Sequence, residues 1–437
     1  MNQTQTLEQR TAATAERPEY FSGAQSEQSS INLAGRKTPN KVRSPQARFN
    51  LPKDPRPYAD KYFLRTGEVL RAEGINPWVR AQVMIRKGPG QVYGIDEALA
   101  ILDKYSPLVA NGGRVYALEE GSSYSQRETL MLIEAPIQDF VELETMYLGV
   151  LSAETTKAND NHGVNLNQVR KNMAAVVKAA QGRPVSYFGA RHWRFDEDAA
   201  ITRAAYDGGA TSASTDAGAA TAGQKGGGTT PHVLENIMSW KYGQERAVLE
   251  TLLAFNRVID KNVPRIILCD YRNKEITDTL ACAKALGNKL WGPRIDTCGE
   301  NVAEGATPNP QEEVFEFDDG LNTELKGYWR GNGVTISGVY AMRKALDAKG
   351  YSNMKIALSS GFADPEKVQA FVEAESILGV KLFDMLGVGQ VFESRAAKMD
   401  IVAVGETPET FVPISKTGRG YNPNPRLKLR LGKGGAK

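Results

Sequence analysis

Ile266-Ile267-Leu268-Cys269-Asp270 is an apolar run of strand length that ends in a carboxylate, and residues 276–286 after it carry a helical pattern. The alternation repeats toward the C-terminus. Residues 289–296 read as a strand ending in Arg294 and Asp296, residues 334–349 as a helix, and residues 354–360 as a strand running into Gly361. Residues 365–378 read as a helix, and residues 382–386 as a strand running into Gly387-Val388-Gly389. Strands alternating with helices imply a parallel sheet with helical crossovers. Polar and glycine residues gather just after the strands, where α/β barrels carry their sites. The expected fold class is α/β, with a barrel over residues 141–395.

Upstream of this rhythm, residues 142–152 and 168–181 look helical. Residues 79–85, 114–118 and 129–135 read as strands and residues 96–105 as a helix, giving a separate N-terminal α/β domain over residues 51–140. Residues 1–50 are polar, rich in Gln, Ser, Thr and Ala, and cannot bury enough surface to offset ordering entropy, so a disordered tail is expected there. Residues 300–328 form an acidic excursion carrying Glu312, Glu313, Glu316, Asp318 and Asp319. Residues 423–437 hold five basic side chains and no acidic one, which reads as a solvated tail.

The chain has 437 residues, enough for two or three domains of about 150 residues. A hydrophobic fraction of 41% and a charged fraction of 24% are ordinary for a globular protein. With a net charge of +3, electrostatics do not call for nucleic acid as a partner. Cys269, Cys282 and Cys298 are odd in number and lack metal-type spacing, so they read as reduced, buried thiols. No apolar run resembles a signal peptide or a membrane span, so a cytoplasmic protein with no membrane partner is expected.

The segment from Ser186 to His232 is the densest in chemistry. It contains Phe188-Gly189-Ala190-Arg191-His192, Tyr206-Asp207-Gly208-Gly209 and Gly226-Gly227-Gly228-Thr229-Thr230-Pro231-His232. An aromatic face beside a guanidinium suits a flat anionic ring, although Phe188 alone would read as core. Glycine clusters let backbone N–H groups approach a phosphate, but alone they read equally as flexible loops. Ser359-Ser360-Gly361 and Gly387-Val388-Gly389 are better placed, because each follows a late strand. Arg294 and Asp296 share a strand face by two-residue alternation and should point into one cavity. The Arg could hold a diphosphate or carboxylate bidentately, and the Asp could bind ribose hydroxyls or magnesium. A structural salt bridge between the two is weighed equally.

Taken in order, these segments resemble the nicotinate phosphoribosyltransferases, most closely the shorter archaeal-type branch. The likeness is carried by Asp60-Lys61-Tyr62-Phe63-Leu64-Arg65-Thr66, Phe188 to Arg191, Tyr206 to Gly209, Gly228 to His232, Arg294 to Thr297, Arg330-Gly331-Asn332, Ser360-Gly361 and Gly387 to Gly389, across roughly residues 58–420. It implies an N-terminal α/β domain packed on an irregular TIM-like barrel, the type II phosphoribosyltransferase architecture, with residues 396–437 returning to the N-terminal domain. It also implies a homodimer with shared active sites. Phe188 then resembles one plate of a ring clamp, and Tyr62, from the neighbouring subunit, the other. Arg191 would sit by the ring, and Ser214 falls where nicotinate enzymes keep a small polar residue. His232, Arg294 and Asp296 would form the catalytic set, with Asp270 and Asp296 near ribose and magnesium. Ser360, Gly361, Gly387, Gly389, Lys416 and Arg419 would meet phosphates. His192 stands where the family often has a second Arg, Phe362 where a second Gly is usual, and Gln390 where a Thr is usual.

The implied activity joins nicotinate to 5-phosphoribosyl 1-diphosphate, giving nicotinate mononucleotide for NAD salvage. The cofactor implied is Mg2+. The family often couples ATP hydrolysis to the transfer through a phosphorylated histidine, for which His232 is the candidate, and the sequence leaves that coupling open. Two alternatives stay open beside this reading. One is nicotinamide as the base, because Asp216 lies two residues from Ser214; the other is a non-catalytic nucleotide-binding relative. Quinolinate is disfavoured, since two carboxylates call for a denser basic cluster.

Overall fold

The structure, a computed structural model, describes residues 41–42, 48–309 and 323–433. The expected tail over residues 1–50, apart from its last few positions, lies outside the described residues. So do the acidic positions Glu312, Glu313, Glu316, Asp318 and Asp319, and the last four residues.

In chain order the main elements are α1 Lys61–Ala72, β1 Trp78–Ile85, α2 Ile95–Tyr105, β2 Arg114–Ala117, β3 Thr129–Pro136, α3 Glu144–Asp160 and α4 Leu166–Ala179. The second stretch comprises β4 Val185–Tyr187, α5 Asp198–Asp207, β5 Ser212–Ala213, α6 His232–Tyr242, α7 Ala247–Val258, β6 Arg265–Leu268, α8 Glu275–Leu286 and β7 Leu290–Ile295. It is completed by α9 Ile336–Ala348, β8 Ala357–Leu358, α10 Pro365–Leu378, β9 Met385–Val388, β10 Ala397–Gly405 and β11 Lys428–Lys433.

The strands form two large sheets. The first is antiparallel, with β1 at its centre between β3 and β10, then β2 and β11 beyond β3. Short edge strands at Lys41–Val42 and Val412–Pro413 complete it. As a central strand, β1 is buried along most of its length: Val79, Ala81, Val83 and Ile85 are fully covered. The second sheet is parallel, in the order β5-β4-β9-β8-β7-β6. Its edges, β5 and β6, do not pair with each other, so it is an open half-barrel wrapped by helices. The expected α/β class with a parallel barrel-like sheet is therefore found. Each sheet has its own apolar core, and among the described residues no helix is long and apolar enough to cross a membrane.

Local signals explain many of the elements. In α1, Phe63, Leu64, Val69 and Leu70 fall on one buried stripe. Helix α10 begins where the Asp364 side chain accepts from the Glu366 N–H at 3.0 Å, carries Pro365 in its first turn, and stops at Gly379 with φ of 67°.

Several boundaries differ from expectation, for reasons visible in the packing. The helix read over residues 142–152 runs on to Asp160. Its polar end is held from outside: the Tyr93 N–H donates to Thr155 Oγ1 at 3.1 Å, and the Asn159 amide donates to the Gln91 carbonyl at 2.7 Å. The strand expected over residues 382–386 sits at Met385–Val388 instead. Leu382 and Phe383 are apolar because they are buried in the turn before it, where Glu375 accepts from the Leu382 N–H at 2.7 Å. The strand read over residues 354–360 pairs only at Ala357–Leu358.

Behind the loop after β8, Phe362 and Phe371 meet edge to face at 5.2 Å, and Phe371 is fully buried on α10. Phe371→Ala is expected to lower unfolding stability by about 3–5 kcal/mol, read from the shift of the urea midpoint at constant m-value.

Candidate active site

The C-terminal ends of the parallel strands open into a cavity of about 520 Å3. One wall is the half-barrel and the opposite wall is the antiparallel sheet. Tyr62, Phe188, Arg191, His232, Arg294, Asp296, Ser360, Gly361, Gly387, Gly389, Lys416 and Arg419 all line it, so residues far apart in sequence converge on one cavity.

The aromatic pair is set by backbone. Phe188 follows β4, and its ring lies so close to Gly387 that a Cβ there would come within 2.4 Å of Phe188 Cε2. Tyr62 stands one residue into α1, whose start is docked on β5 by the Lys61 N–H donating to the Ser214 carbonyl at 2.8 Å. Gly228 runs against the start of α1, where an added Cβ would meet Tyr62 Cδ1 at 3.2 Å and where φ is 138°. Arg65 donates to the Gly228 carbonyl and fixes that strand of glycines in place. The resemblance assigns Tyr62 of a neighbouring subunit to this pocket; here Tyr62 reaches it from its own chain. Arg191 Nη1 donates to the Tyr62 hydroxyl at 2.7 Å, and that hydroxyl donates to Asp60 Oδ2 at 3.2 Å.

The carboxylates divide into two kinds. Asp296 Oδ1 accepts from Ser359 Oγ at 2.6 Å, and Oδ2 lies 3.9 Å from Arg294 Nη1. Arg294 also donates to Ser359 Oγ at 3.2 Å and to the Thr230 carbonyl at 3.3 Å. Asp270 is fully buried, outside the cavity lining, with both oxygens taken: Oδ1 by His232 Nε2 at 2.8 Å and Oδ2 by Lys416. Burial alone would raise the Asp270 carboxyl, but Lys416 and His232 outweigh it and hold it well below the usual carboxylate range. His232 is pushed down by burial and then by Lys416, with Asp270 opposing. An ionised Asp270 can only accept, so the proton of neutral His232 sits on Nε2 and Nδ1 carries the lone pair.

His232, Asp270 and Asp296 each offer a ligand atom, all within 4.8 Å of one another. Magnesium prefers a small number of carboxylate oxygens, with water and phosphate filling the rest. Asp296 fits that demand. Asp270 does not, because both of its oxygens already serve cations.

Two residues of the expected set stay outside. Ser214 is buried with its Oγ unpartnered, beyond the cavity lining. Asp216, the alternative discriminator, is paired with Lys61 and accepts from the Gly226 N–H at 2.9 Å. His192 faces the cavity, but burial and then Arg191 push its pKa down to about 3. It is neutral, its Nδ1 donates to the Gly389 carbonyl at 3.2 Å, and it supplies no charge in place of an Arg. The three cysteines are free and buried, and burial pushes the Cys269 and Cys282 thiols up, so they act as small hydrophobes.

Among the wall residues that escaped the sequence reading are Arg86, Glu144 and Lys398. Arg86 follows β1, Lys398 lies on β10 and Glu144 opens α3. Lys398 makes no hydrogen bond or ion pair among the described residues, and burial, then Arg86, Arg191 and Arg419, bring its amine down to about 7. The sequence reading drew site residues from the βα rhythm and the ordered motifs, and these three come from the other sheet and the helix that leads out of it.

Residues 60–154 match the family described as quinolinate phosphoribosyl transferase, N-terminal domain. The nicotinate phosphoribosyltransferase of Porphyromonas gingivalis superposes with a TM-score of 0.55 at 12% identity, over 84% of this chain and 96% of its own. That of Vibrio cholerae gives 0.53 at 11% identity, over 83% and 88%. Residues 60–154 are thus similar to that N-terminal domain, and the fold is that of the nicotinate phosphoribosyltransferases. The nicotinate-nucleotide pyrophosphorylase of Pyrococcus furiosus is 27% identical over 85% of this chain and 81% of its own, with a TM-score of 0.38. No curated protein sequence matches the chain.

The buried Lys416–Asp270–His232 chain gives a test of the site's construction. Lys416→Ala strands the Asp270 charge in the interior and is expected to cost about 3–5 kcal/mol of stability at pH 7 by urea unfolding. Because Asp270 titrates lower folded than unfolded, its contribution is present above the ordinary carboxylate pKa and is lost as pH falls below it. Wild type and Lys416→Ala should therefore converge in acid.

Proposed function

We propose that this chain is a phosphoribosyltransferase that joins nicotinate to 5-phosphoribosyl 1-diphosphate, releasing diphosphate and forming nicotinate mononucleotide. The observation that carries this reading is that Tyr62, Phe188 and Arg191 line one cavity together with turns and cations suited to phosphates. The ring of the base lies between Tyr62 and Phe188, with its carboxylate toward Arg191. The 5′-phosphate meets the backbone after β8 and β9, at Ser360-Gly361 and Gly387 to Gly389. The diphosphate faces Arg86, Lys398 and Arg419 across the cavity.

The pyridine nitrogen already carries a lone pair, so no base is needed. The N–C1 bond forms as the C1–O bond breaks, and the electron pair leaves on the diphosphate. Positive charge builds on the sugar, where Asp296 can stabilise it, and negative charge builds on the leaving group, where the three basic side chains can. Holding base and sugar in line supplies much of the remaining acceleration. Magnesium would be held by Asp296 and would neutralise the diphosphate. The unprotonated Nδ1 of His232 suits a phosphoryl acceptor: coupling to ATP would form the N–P bond there and release ADP.

Nicotinate is favoured over nicotinamide because Arg191 flanks the slot, while Asp216 is engaged elsewhere. The deciding assay supplies phosphoribosyl diphosphate and magnesium with nicotinate, nicotinamide or quinolinate, with and without ATP, and measures mononucleotide and diphosphate. Product from nicotinate is expected, and folded protein yielding product with none of the three sinks the reading. Gly387→Ala drives the Phe188 ring from its seat and is expected to raise KM for the base about tenfold with the fold intact, a loss of order 1.4 kcal/mol in base binding.

A further inference from the structure

We propose that Glu144 is a positioning residue for the base: it competes with the base's carboxylate for Arg191, so its own charge governs how tightly an anionic ring is held. This inference rests on the reading of the cavity given above.

Glu144 is the first residue of α3, is 3% exposed, and lines the cavity beside the Tyr62–Arg191 pair. Its Oε1 lies 3.8 Å from Arg191 Nη1, the nitrogen that donates to Tyr62. Its Oε2 is buried and has no hydrogen-bond partner among the described residues. A buried carboxylate with one oxygen unpaired and a guanidinium just beyond hydrogen-bond reach is poorly solvated, whereas a neutral carboxyl tolerates the place.

Every charged group around it bears on that balance. Arg191 faces it from the short helical turn Ala190–His192, Asp60 from just before α1, and Asp400 from β10. The hydroxyls of Tyr62 on α1 and Tyr147 on α3 complete the surroundings. Burial raises the Glu144 carboxyl, Arg191 opposes, and Asp60 and Asp400 add to the rise, bringing its pKa to about 8. Below that value Glu144 is neutral and the whole charge of Arg191 is available to a ligand. Above it the new carboxylate takes part of that charge and repels a second carboxylate brought in by the base. An uncharged amide base would feel neither effect.

The test is calorimetric binding of nicotinate and of nicotinamide to the full chain at pH 7 and pH 9, comparing wild type with Glu144→Gln. Glutamine keeps the shape and never ionises. Lys398 titrates in the same interval in both proteins, so the difference between them reads Glu144. Wild type is expected to lose about tenfold more nicotinate affinity from pH 7 to pH 9 than Glu144→Gln loses, with nicotinamide unaffected. Equal losses in the two proteins, with nicotinate bound, overturn the role of Glu144 and leave the proposed activity standing. Binding of neither base to folded wild type overturns both. Should Glu144→Gln fail to fold, the wild-type contrast between the two bases decides, since equal pH dependence for nicotinate and nicotinamide sinks the proposal.

Discussion

The site depends on a buried chain of charge: Lys416, from the segment between β10 and β11, meets Asp270 just beyond β6, and Asp270 meets His232 at the start of α6. Three regions distant in sequence are tied at one carboxylate with no exposure to water. Desolvating that carboxylate is expensive, and two donors from opposite sides are what make it tolerable. The arrangement fixes the C-terminal segment against the half-barrel, and it fixes the histidine tautomer. The outer wall of the cavity, including Arg419, hangs from the same segment.

Much of the fold was written in the sequence. The runs before Asp270, Arg294, Gly361 and Gly387 gave a parallel sheet, and the residues just beyond them do gather at one end of it. Alternation and helical spacing reveal elements whose two faces differ. They were silent on α1, α6 and α7, and they misplaced β9, because Leu382 and Phe383 are as buried in a turn as they would be in a strand.

The site was legible where a residue follows a strand of the repeating unit, or where an ordered motif set carried it. It was not legible at Arg86, Glu144 and Lys398. Each sits in or just after a regular element among ordinary neighbours, and a lone Lys on a strand or a Glu at a helix start looks like solvated surface. Their significance comes only from the second sheet being folded over the first, a long-range fact that periodicity does not encode. Ser214 is the opposite case: its neighbourhood in sequence matches, yet the β5–α1 junction turns it into the interior. Asp270 likewise is a magnesium ligand by the family resemblance, and only the approach of Lys416 from far downstream removes it from that role.

Phe188 and Tyr62 each lie tight against a glycine, one on β9 and one in the segment crossing from β5 to α6. The thickness of the slot is thus a property of main chain, which cannot drift by exchange of one side chain for a slightly larger or smaller one. If the proposed reading of the cavity holds, a lineage that turned to a different flat ring would have to do so at the rim, where Arg191 and its neighbours lie, while the gauge of the slot stayed the same.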